Sequence, residues 1–161
     1  FRSWNGFCLS EVALHMTNIS FHFNVADTHH YVCRLVKKAW QQEKPVLVVG
    51  EQDWLEDLDS ALWTFSDIDF IPHAFVGEEA DEVSDEKVNV WLATLDQINT
   101  LAEHHAGFLI YLGDAQPAGF ERFERLIEIV PQVESAKVEA RKRWGYYKQR
   151  GYPLTHHDAK N

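Results

Sequence analysis

The sequence predicts an α/β fold, specifically a three-layer α/β/α sandwich with a mostly parallel sheet. Three observations support this prediction. Short segments typical of strands alternate along the chain with segments of helical periodicity. Several of the strand-like segments are apolar throughout, which is typical of parallel strands covered by helices on both faces. The length of 161 residues also suits one domain with a substantial core.

Each expected element follows from a local pattern. Apolar and polar residues alternate from Ile19 to Phe23, and Asp27 or Thr28 can cap the helix that follows. Pro45 and Gly50 enclose an apolar run of strand length. In chain order, the expected elements are a strand at 19–23, a helix including 31–40, a strand at 46–49, a helix at 52–63, strands at 70–74, 88–93 and 108–112, a short helix at 120–126 that runs into the apolar segment 127–130, and a helix at 133–150 that ends at Gly151 and Pro153.

The folded domain is expected to span residues 16–154. Met16 is the only methionine, and residues 1–15 before it have neither the basic nor the long apolar region of a signal peptide. We interpret residues 1–15 as an N-terminal extension outside the fold. Residues 155–161 are expected to form a C-terminal tail.

The junction between the first strand and the first helix does not have the sequence of a nucleotide site. It runs from Asn24 to His29 without a glycine, whereas a dinucleotide site places a Gly-rich turn there. The residues after Gly50 are acidic and would repel a phosphate. The expected fold is therefore Rossmann-like without a nucleotide-binding Gly-rich loop, and no cofactor is expected.

Other classes of site lack the required patterns. The histidine pairs are adjacent in sequence, so their rings point in different directions, and neither a metal site nor a catalytic residue is predicted. Cys8 and Cys33 are too few for a disulfide framework, which favours a reducing, cytoplasmic location. No apolar run reaches the roughly 20 residues of a membrane helix, so no membrane partner is expected.

The charges are segregated along the chain. The formal net charge is −10, which disfavours tight nonspecific binding to DNA. Residues 51–86 include thirteen Asp and Glu residues and no Lys or Arg, and we interpret them mainly as a solvated acidic face. Residues 137–150 include six basic residues against one acidic residue, so a bound anion is expected to contact this segment.

The last helix carries the sharpest candidate for a binding surface. At 100° per residue, Ala136, Ala140 and Tyr147 share one apolar stripe, and Trp144 lies at its border. Lys137, Arg141 and Lys148 follow one flank of this stripe. Such a strip can bind an acidic peptide with a free C-terminus, or single-stranded nucleic acid with a base stacked on the tryptophan. It can also be an ordinary solvated flank over the core.

A second candidate is the aromatic-rich region between residues 54 and 75. Five Trp and Phe residues within this stretch are more than a short segment usually buries, so they divide between the core and a protein interface.

These residues resemble the family of chi subunits of bacterial DNA polymerase III, over residues 16–154. The resemblance rests on the sequence Asp-Ser-Ala-Leu-Trp at 59–63, on Phe-Ile-Pro-His at 70–73 and on the apolar strand at 45–49. It also rests on a C-terminal pattern that consists of Val130-Pro131, Lys137, Arg141, Trp144, Tyr147 and Gly-Tyr-Pro-Leu at 151–154.

The resemblance implies a non-catalytic replication subunit. Such a subunit would form a heterodimer with the psi subunit, join the clamp loader through psi, and bind the acidic C-terminal tail of single-stranded DNA-binding protein, so that it contacts single-stranded DNA mainly indirectly. By position, the tail site would comprise Val130, Lys137, Arg141 and Trp144, with Tyr147 and Lys148 as neighbours. The psi interface would comprise Trp63, Phe70, Ile71, Pro72 and His73. The alternatives are a small nucleotide- or nucleic-acid-binding α/β domain and, third, a metal-dependent hydrolase.

Overall fold

The computed structural model describes residues 17–64, 71–76, 89–97, 107–117 and 119–159. The predicted extension at 1–15 lies outside these ranges. The strands are β1 (Asn18–Val25), β2 (Val46–Val49), β3 (His73–Phe75), β4 (Val90–Ala93), β5 (Phe108–Tyr111), β6 (Arg125–Pro131) and β7 (Leu154–Asp158). The helices are α1 (Thr28–Gln41), α2 (Gln52–Thr64) and α3 (Glu134–Gln149), and single 3₁₀ turns lie at Leu95–Gln97 and Phe120–Arg122.

The seven strands of the described ranges form one sheet in the order β3-β4-β2-β5-β6-β1-β7. Every neighbouring pair is parallel. The predicted α/β fold with a parallel sheet is therefore confirmed. Strand β1 lies between β6 and β7 and pairs with each of them.

Helices cover both faces of this sheet. Val46 and Val48 of β2 pack in a core cluster with residues of α1 and α2, including Val36 and Leu58. The alternate residues of β2 belong to a second core cluster, which includes Ala140 and Tyr147 of α3. Since successive side chains of a strand point to opposite faces, α1 and α2 lie on one side and α3 on the other. This is the predicted three-layer arrangement.

The end of β1 connects several elements near α3. Asn24 has a positive φ of 62°, and the register of β1 against β6 shifts between His22 and Val25. The Asn24 side-chain amide donates a hydrogen bond to Asp158 of β7 at 3.1 Å, and the Gln132 amide donates to the Asn24 carbonyl at 3.1 Å. Asp27 then caps α1, since its carboxylate accepts from the His30 backbone N–H at 3.0 Å.

Two predictions near the C-terminus are wrong. The expected short helix at 120–126 is a 3₁₀ turn at Phe120–Arg122, and the chain then enters β6 at Arg125. Strand β6 lies between β5 and β1, so its backbone groups are paired on both sides. The expected tail after residue 154 begins instead with β7, which pairs with β1 through Asp158.

The remaining boundaries differ by smaller amounts. The strand expected at 70–74 is β3 and begins at His73, and residue 70 lies outside the described ranges. The strand expected at 88–93 is described from Val90. Within the described ranges, no helix has both the length and the apolar character that crossing a membrane would require.

Candidate functional site

An open groove with a volume of about 520 Å³ lies between α3 and the strands at the β1–β7 edge of the sheet. It is lined by Phe21, Phe23 and Asn24 of β1, Val130 of β6, Lys137, Ala140, Arg141 and Trp144 of α3, and His156 of β7. The structure therefore brings four of the six residues of the predicted tail site, Val130, Lys137, Arg141 and Trp144, around one cavity.

Aromatic rings form one side of the groove. The Trp144 ring meets the Phe21 ring nearly edge-on, with 5.2 Å between ring centroids and 68° between the planes. The His156 ring lies 6.1 Å from Trp144 and 6.0 Å from Phe23. Trp144 is half-buried, so these neighbours hold the indole while part of it stays accessible. A surface of this kind suits an apolar or aromatic group of a ligand.

Two cations border the aromatic surface. The Arg141 side chain is 72% exposed, and its ion-pair partner among the described residues, Glu134, is distant, at 4.0 Å. Lys137 makes no ion pair with any residue in the described ranges. No Asp or Glu side chain is among the described residues that line the groove. The groove can therefore receive carboxylates together with an apolar group, because both cations are available for charge-assisted hydrogen bonds.

Tyr147 and Lys148, the other two residues of the predicted tail site, do not line the groove. The Tyr147 side chain is fully buried, and its hydroxyl donates to Glu128 Oε2 at 2.8 Å. Its position in the middle of the apolar stripe directs it into the core beneath the groove. Lys148 is exposed but lies outside the set of lining residues.

A buried polar network supports α3 on the sheet, and the sequence analysis missed it. Arg143 Nε lies 3.0 and 3.1 Å from the two carboxylate oxygens of Glu128, and Arg143 Nη1 donates to the Asp114 carbonyl at 2.7 Å. Burial raises the pKa of Glu128, and the Arg143 guanidinium and the Tyr147 hydroxyl oppose that rise. The sequence contains one indication of this network. At 100° per residue, Arg143 lies only about 60° from Ala140 around the helix, as close to the apolar stripe as Lys137.

The second predicted surface is the Trp63–His73 corner, at the end of α2 and the start of β3. Trp63 is 56% exposed, and its ring centroid lies 5.2 Å from that of His73. His73 is held at both ring nitrogens, by Asp59 Oδ1 at 2.8 Å and by the Ile71 carbonyl at 2.7 Å. Pro72 is half-buried beside it.

Three residues of the predicted psi interface have a different standing. The His73 side chain is only 1% exposed, so it orders the corner and offers little surface to a partner. Ile71 is 1% exposed and packs in the core cluster beneath α1 and α2, so its side chain supports the corner and is not available to a partner. Phe70 lies outside the described residues.

The other candidate groups occupy structural positions. His29 stacks on Trp54 with 4.8 Å between ring centroids. Cys33 is buried, and burial, followed by the negative charge of Asp27, raises the pKa of its thiol to about 11. Across the described ranges, no group of three or more His, Cys, Asp or Glu side chains is arranged to hold a metal ion. The pair at 104–105 lies outside those ranges.

Comparison with known proteins gives one consistent result. The family model described as DNA polymerase III chi subunit, HolC, matches residues 16–155. A protein of Pseudomonas aeruginosa named DNA polymerase III subunit chi is 31% identical over 126 residues, which cover 78% of this chain and 82% of that protein. A Haemophilus influenzae protein of the same name is 25% identical over 124 residues, covering 76% of this chain and 81% of the relative.

Proposed function

Since the chain belongs to the DNA polymerase III chi subunit family, and is in that sense a replication subunit, we propose that it acts as a non-catalytic adaptor. It binds the acidic C-terminal tail of single-stranded DNA-binding protein in the groove beside α3, and it binds the psi subunit through the Trp63–His73 corner. Psi connects it to the clamp loader, so the polymerase is tethered to coated single-stranded DNA in the cytoplasm. The observation that carries this proposal is the groove itself, where Lys137 and Arg141 flank Trp144.

The apolar part of the groove suits the end of such a tail. A terminal phenylalanine ring would pack against Trp144 and the apolar surface of Val130 and Phe21, all of which line the cavity. Aromatic pairs of this kind contribute about 0.5 to 1.5 kcal/mol beyond the area that they bury. A ring inserted here would also fix the register of the peptide along α3.

The cations suit the rest of the tail. The terminal carboxylate and the acidic side chains of the peptide would accept hydrogen bonds from Arg141 and Lys137. The protein as a whole carries a net charge of −10 and repels an acidic peptide. Binding therefore depends on the local charge of this groove, and it is expected to weaken as salt is added.

The tail site is tested by a fluorescence-anisotropy titration of a labelled acidic peptide that ends in Pro-Phe. Arg141→Ala is expected to weaken binding by about 1 to 3 kcal/mol, the range for a charge-assisted contact. Lys142→Ala is the matched control, because Lys142 is the next residue on α3, pairs with Glu139 at 3.1 Å and does not line the groove. A peptide without the terminal Phe should bind much more weakly. An unchanged dissociation constant for Arg141→Ala would remove the assignment.

The psi interface is supported by the exposure of Trp63. A large aromatic side chain that is 56% exposed beside an ordered histidine resembles the aromatic anchors of protein interfaces. We expect Trp63→Ala to abolish co-purification with psi while the thermal midpoint of the isolated chain changes little. Trp40→Ala is the control, since Trp40 is a partly buried tryptophan of α1 that packs against the core cluster beneath the helices. Retained psi binding by Trp63→Ala would refute this interface.

A further inference from the structure

A second pocket, with a volume of about 470 Å³, lies on the opposite face of the sheet between α1 and β7. We call it the α1-face pocket. The side chains that define its chemistry are Ser20, His22, Arg34, Lys38, Arg125 and His157. No Asp or Glu is among the described residues that line it. Of its described lining residues it shares His156, on the edge strand β7, with the groove beside α3. The others lie on the opposite face, because Phe21 and Phe23 line that groove whereas Ser20 and His22 line this pocket, and alternate residues of a strand point to opposite faces.

Three cations converge on this pocket from two elements. Arg34 and Lys38 are one turn apart on α1, so they share one face of the helix. Arg125 approaches from the first position of β6, where its guanidinium lies 5.8 Å from the Phe108 ring centroid. All three side chains are exposed, and none of them forms an ion pair with another described residue. Their positive charge is therefore not neutralised within the part of the chain that the structure describes.

Neutral hydrogen-bonding groups lie between these cations. The hydroxyls of Ser20 and Thr155 are 3.0 Å apart. The Tyr31 hydroxyl is hydrogen-bonded to His22 Nδ1, and the His157 ring lies 5.1 Å from the His22 ring. Burial, and after it the positive charges of His157, Arg125 and Lys38, lowers the pKa of His22 to about 4. The positive charges of the pocket therefore affect the ionisation of a side chain in its interior.

This combination selects a ligand with several anionic oxygens. Guanidinium and ammonium groups, hydroxyls and imidazole N–H groups are the donors that proteins use for phosphate oxygens. The rings of Tyr31 and the two histidines add flat surfaces on which a base can stack. We propose that the α1-face pocket binds the phosphate ester of a nucleotide, presented either by a free nucleotide or by a single strand of nucleic acid.

This inference goes beyond the adaptor function and does not depend on it. Apart from His156, which borders both, the residues of the peptide groove and of the α1-face pocket lie on opposite faces of the sheet at the β1–β7 edge. Both ligands can therefore bind at the same time. The net charge of −10 confines phosphate binding to this local patch, so the affinity is expected to be modest and sensitive to salt.

The test uses the full chain and two probes, a labelled oligothymidylate followed by anisotropy and thymidine monophosphate followed by the NMR signals of His22 and His157. The pocket variant is Arg34→Ala with Lys38→Ala. The matched control, Lys142→Ala with Arg150→Ala, removes the same charge from exposed positions of α3 and its C-terminal cap. All four substitutions are at exposed residues, and unchanged thermal midpoints would verify that the variants fold.

We expect the pocket variant to bind the oligonucleotide roughly tenfold more weakly per lost charge-assisted contact, while the control keeps most of the affinity. The salt slope of binding should fall by about 0.7 for each phosphate contact removed. If the oligonucleotide binds and the pocket variant shows both the lower affinity and the smaller salt slope, nucleic acid is the source of the phosphate. Shifts of the His22 and His157 signals by the mononucleotide alone, lost in the pocket variant, would identify a free nucleotide.

Three results would overturn the proposal. The first is that neither probe binds at low salt. The second is that the pocket variant binds as well as the wild type. The third is that the control variant loses as much affinity as the pocket variant, because binding would then follow net charge and not this site.

Discussion

Arg143 of α3 and Glu128 of β6 form a buried charge pair between helix and sheet. Arg143 Nε contacts both carboxylate oxygens at 3.0 and 3.1 Å, and Nη2 lies 3.0 Å from Oε1. The Tyr147 hydroxyl, one turn further along α3, reaches the same carboxylate at 2.8 Å. Two contacts from adjacent turns fix the rotation of α3 about its axis. That rotation directs Trp144 and Arg141 into the groove.

Glu128→Gln is expected to destabilise the fold strongly. The substitution keeps the size of the side chain but leaves the Arg143 guanidinium buried without a counter-charge, which costs about 3 to 5 kcal/mol. Urea unfolding gives the free energy directly. Lys142→Ala provides the exposed comparison, since its pair with Glu139 is on the surface and should contribute no more than about 1 kcal/mol. A loss of stability of less than about 1 kcal/mol for Glu128→Gln would contradict the role assigned to the Arg143–Glu128 pair.

Trp144 is expected to contribute to peptide binding through its ring. Trp144→Ala should weaken binding of the acidic peptide by about 2 kcal/mol or more, as for an aromatic anchor, and Trp144→Phe should weaken it less. Calorimetric titration measures both. Lys148→Ala should change the affinity by less than about 0.5 kcal/mol, because Lys148 lies outside the groove and acts only through screened charge. An equal loss for Lys148→Ala and Trp144→Ala would place the peptide elsewhere on α3.

Cys33 is expected to resist thiol reagents in the folded protein. The thiol is buried and its pKa is raised to about 11, so little reactive thiolate is present at neutral pH. A Cys8→Ser variant leaves Cys33 as the single cysteine. Its reaction with a disulfide reagent should be slow in buffer and fast in denaturant. Fast modification of the folded variant would show that α1 opens readily from the sheet.

His22 is expected to make stability depend on pH between about 4 and 6.5. Its pKa is lowered from 6.5 to about 4 by burial and by neighbouring cations, so the unfolded chain binds the proton more readily than the folded chain. The contribution of neutral His22 to the free energy of unfolding is fully present above pH 6.5 and is lost as the pH falls towards 4. The loss between about pH 7 and pH 5 amounts to at most roughly 2 kcal/mol.

Urea unfolding at these two pH values, for the wild type and for His22→Gln, isolates this contribution. The burial that raises the pKa of Glu128 acts with the opposite sign but is common to both proteins, so it cancels in the comparison. The variant should show a shallower fall in stability towards acid. Parallel pH profiles for the two proteins would contradict the prediction.

The local elements of the fold were predictable because their signals are local. The cap at Asp27 and the apolar runs and stripes located β1, β2 and all three helices. The segment that leads into β6 predicts a helix because Phe120, Phe123 and Leu126 recur every three residues, which imitates one face of a helix. All three are in fact buried in the same core cluster. Strand β7 was missed because an edge strand with exposed side chains is as polar as a loop.

The candidate site was predictable only in part, for a related reason. The apolar stripe of α3 fixes which residues flank it, and this located Lys137, Arg141 and Trp144. Phe21 and His156 reach the groove from strands that are distant in sequence, so no local pattern could assign them. Glu128, the partner of Arg143, also lies on a separate element, in a strand segment that is otherwise apolar. No local pattern therefore pairs it with Arg143.

The position of β1 between β6 and β7 has a consequence for biosynthesis. Asn18 pairs with Arg125, and Ile19 pairs with Leu154, so β1 is synthesised well before both of its neighbours in the sheet, β6 and β7. Pairings over such separations raise the contact order and slow folding. The β2, β4 and β5 half of the sheet can assemble during synthesis, whereas β1 lacks its sheet neighbours until β6 and then β7 have left the exit tunnel. Truncation just before Leu154 should therefore yield a nascent chain that depends on chaperones and aggregates readily.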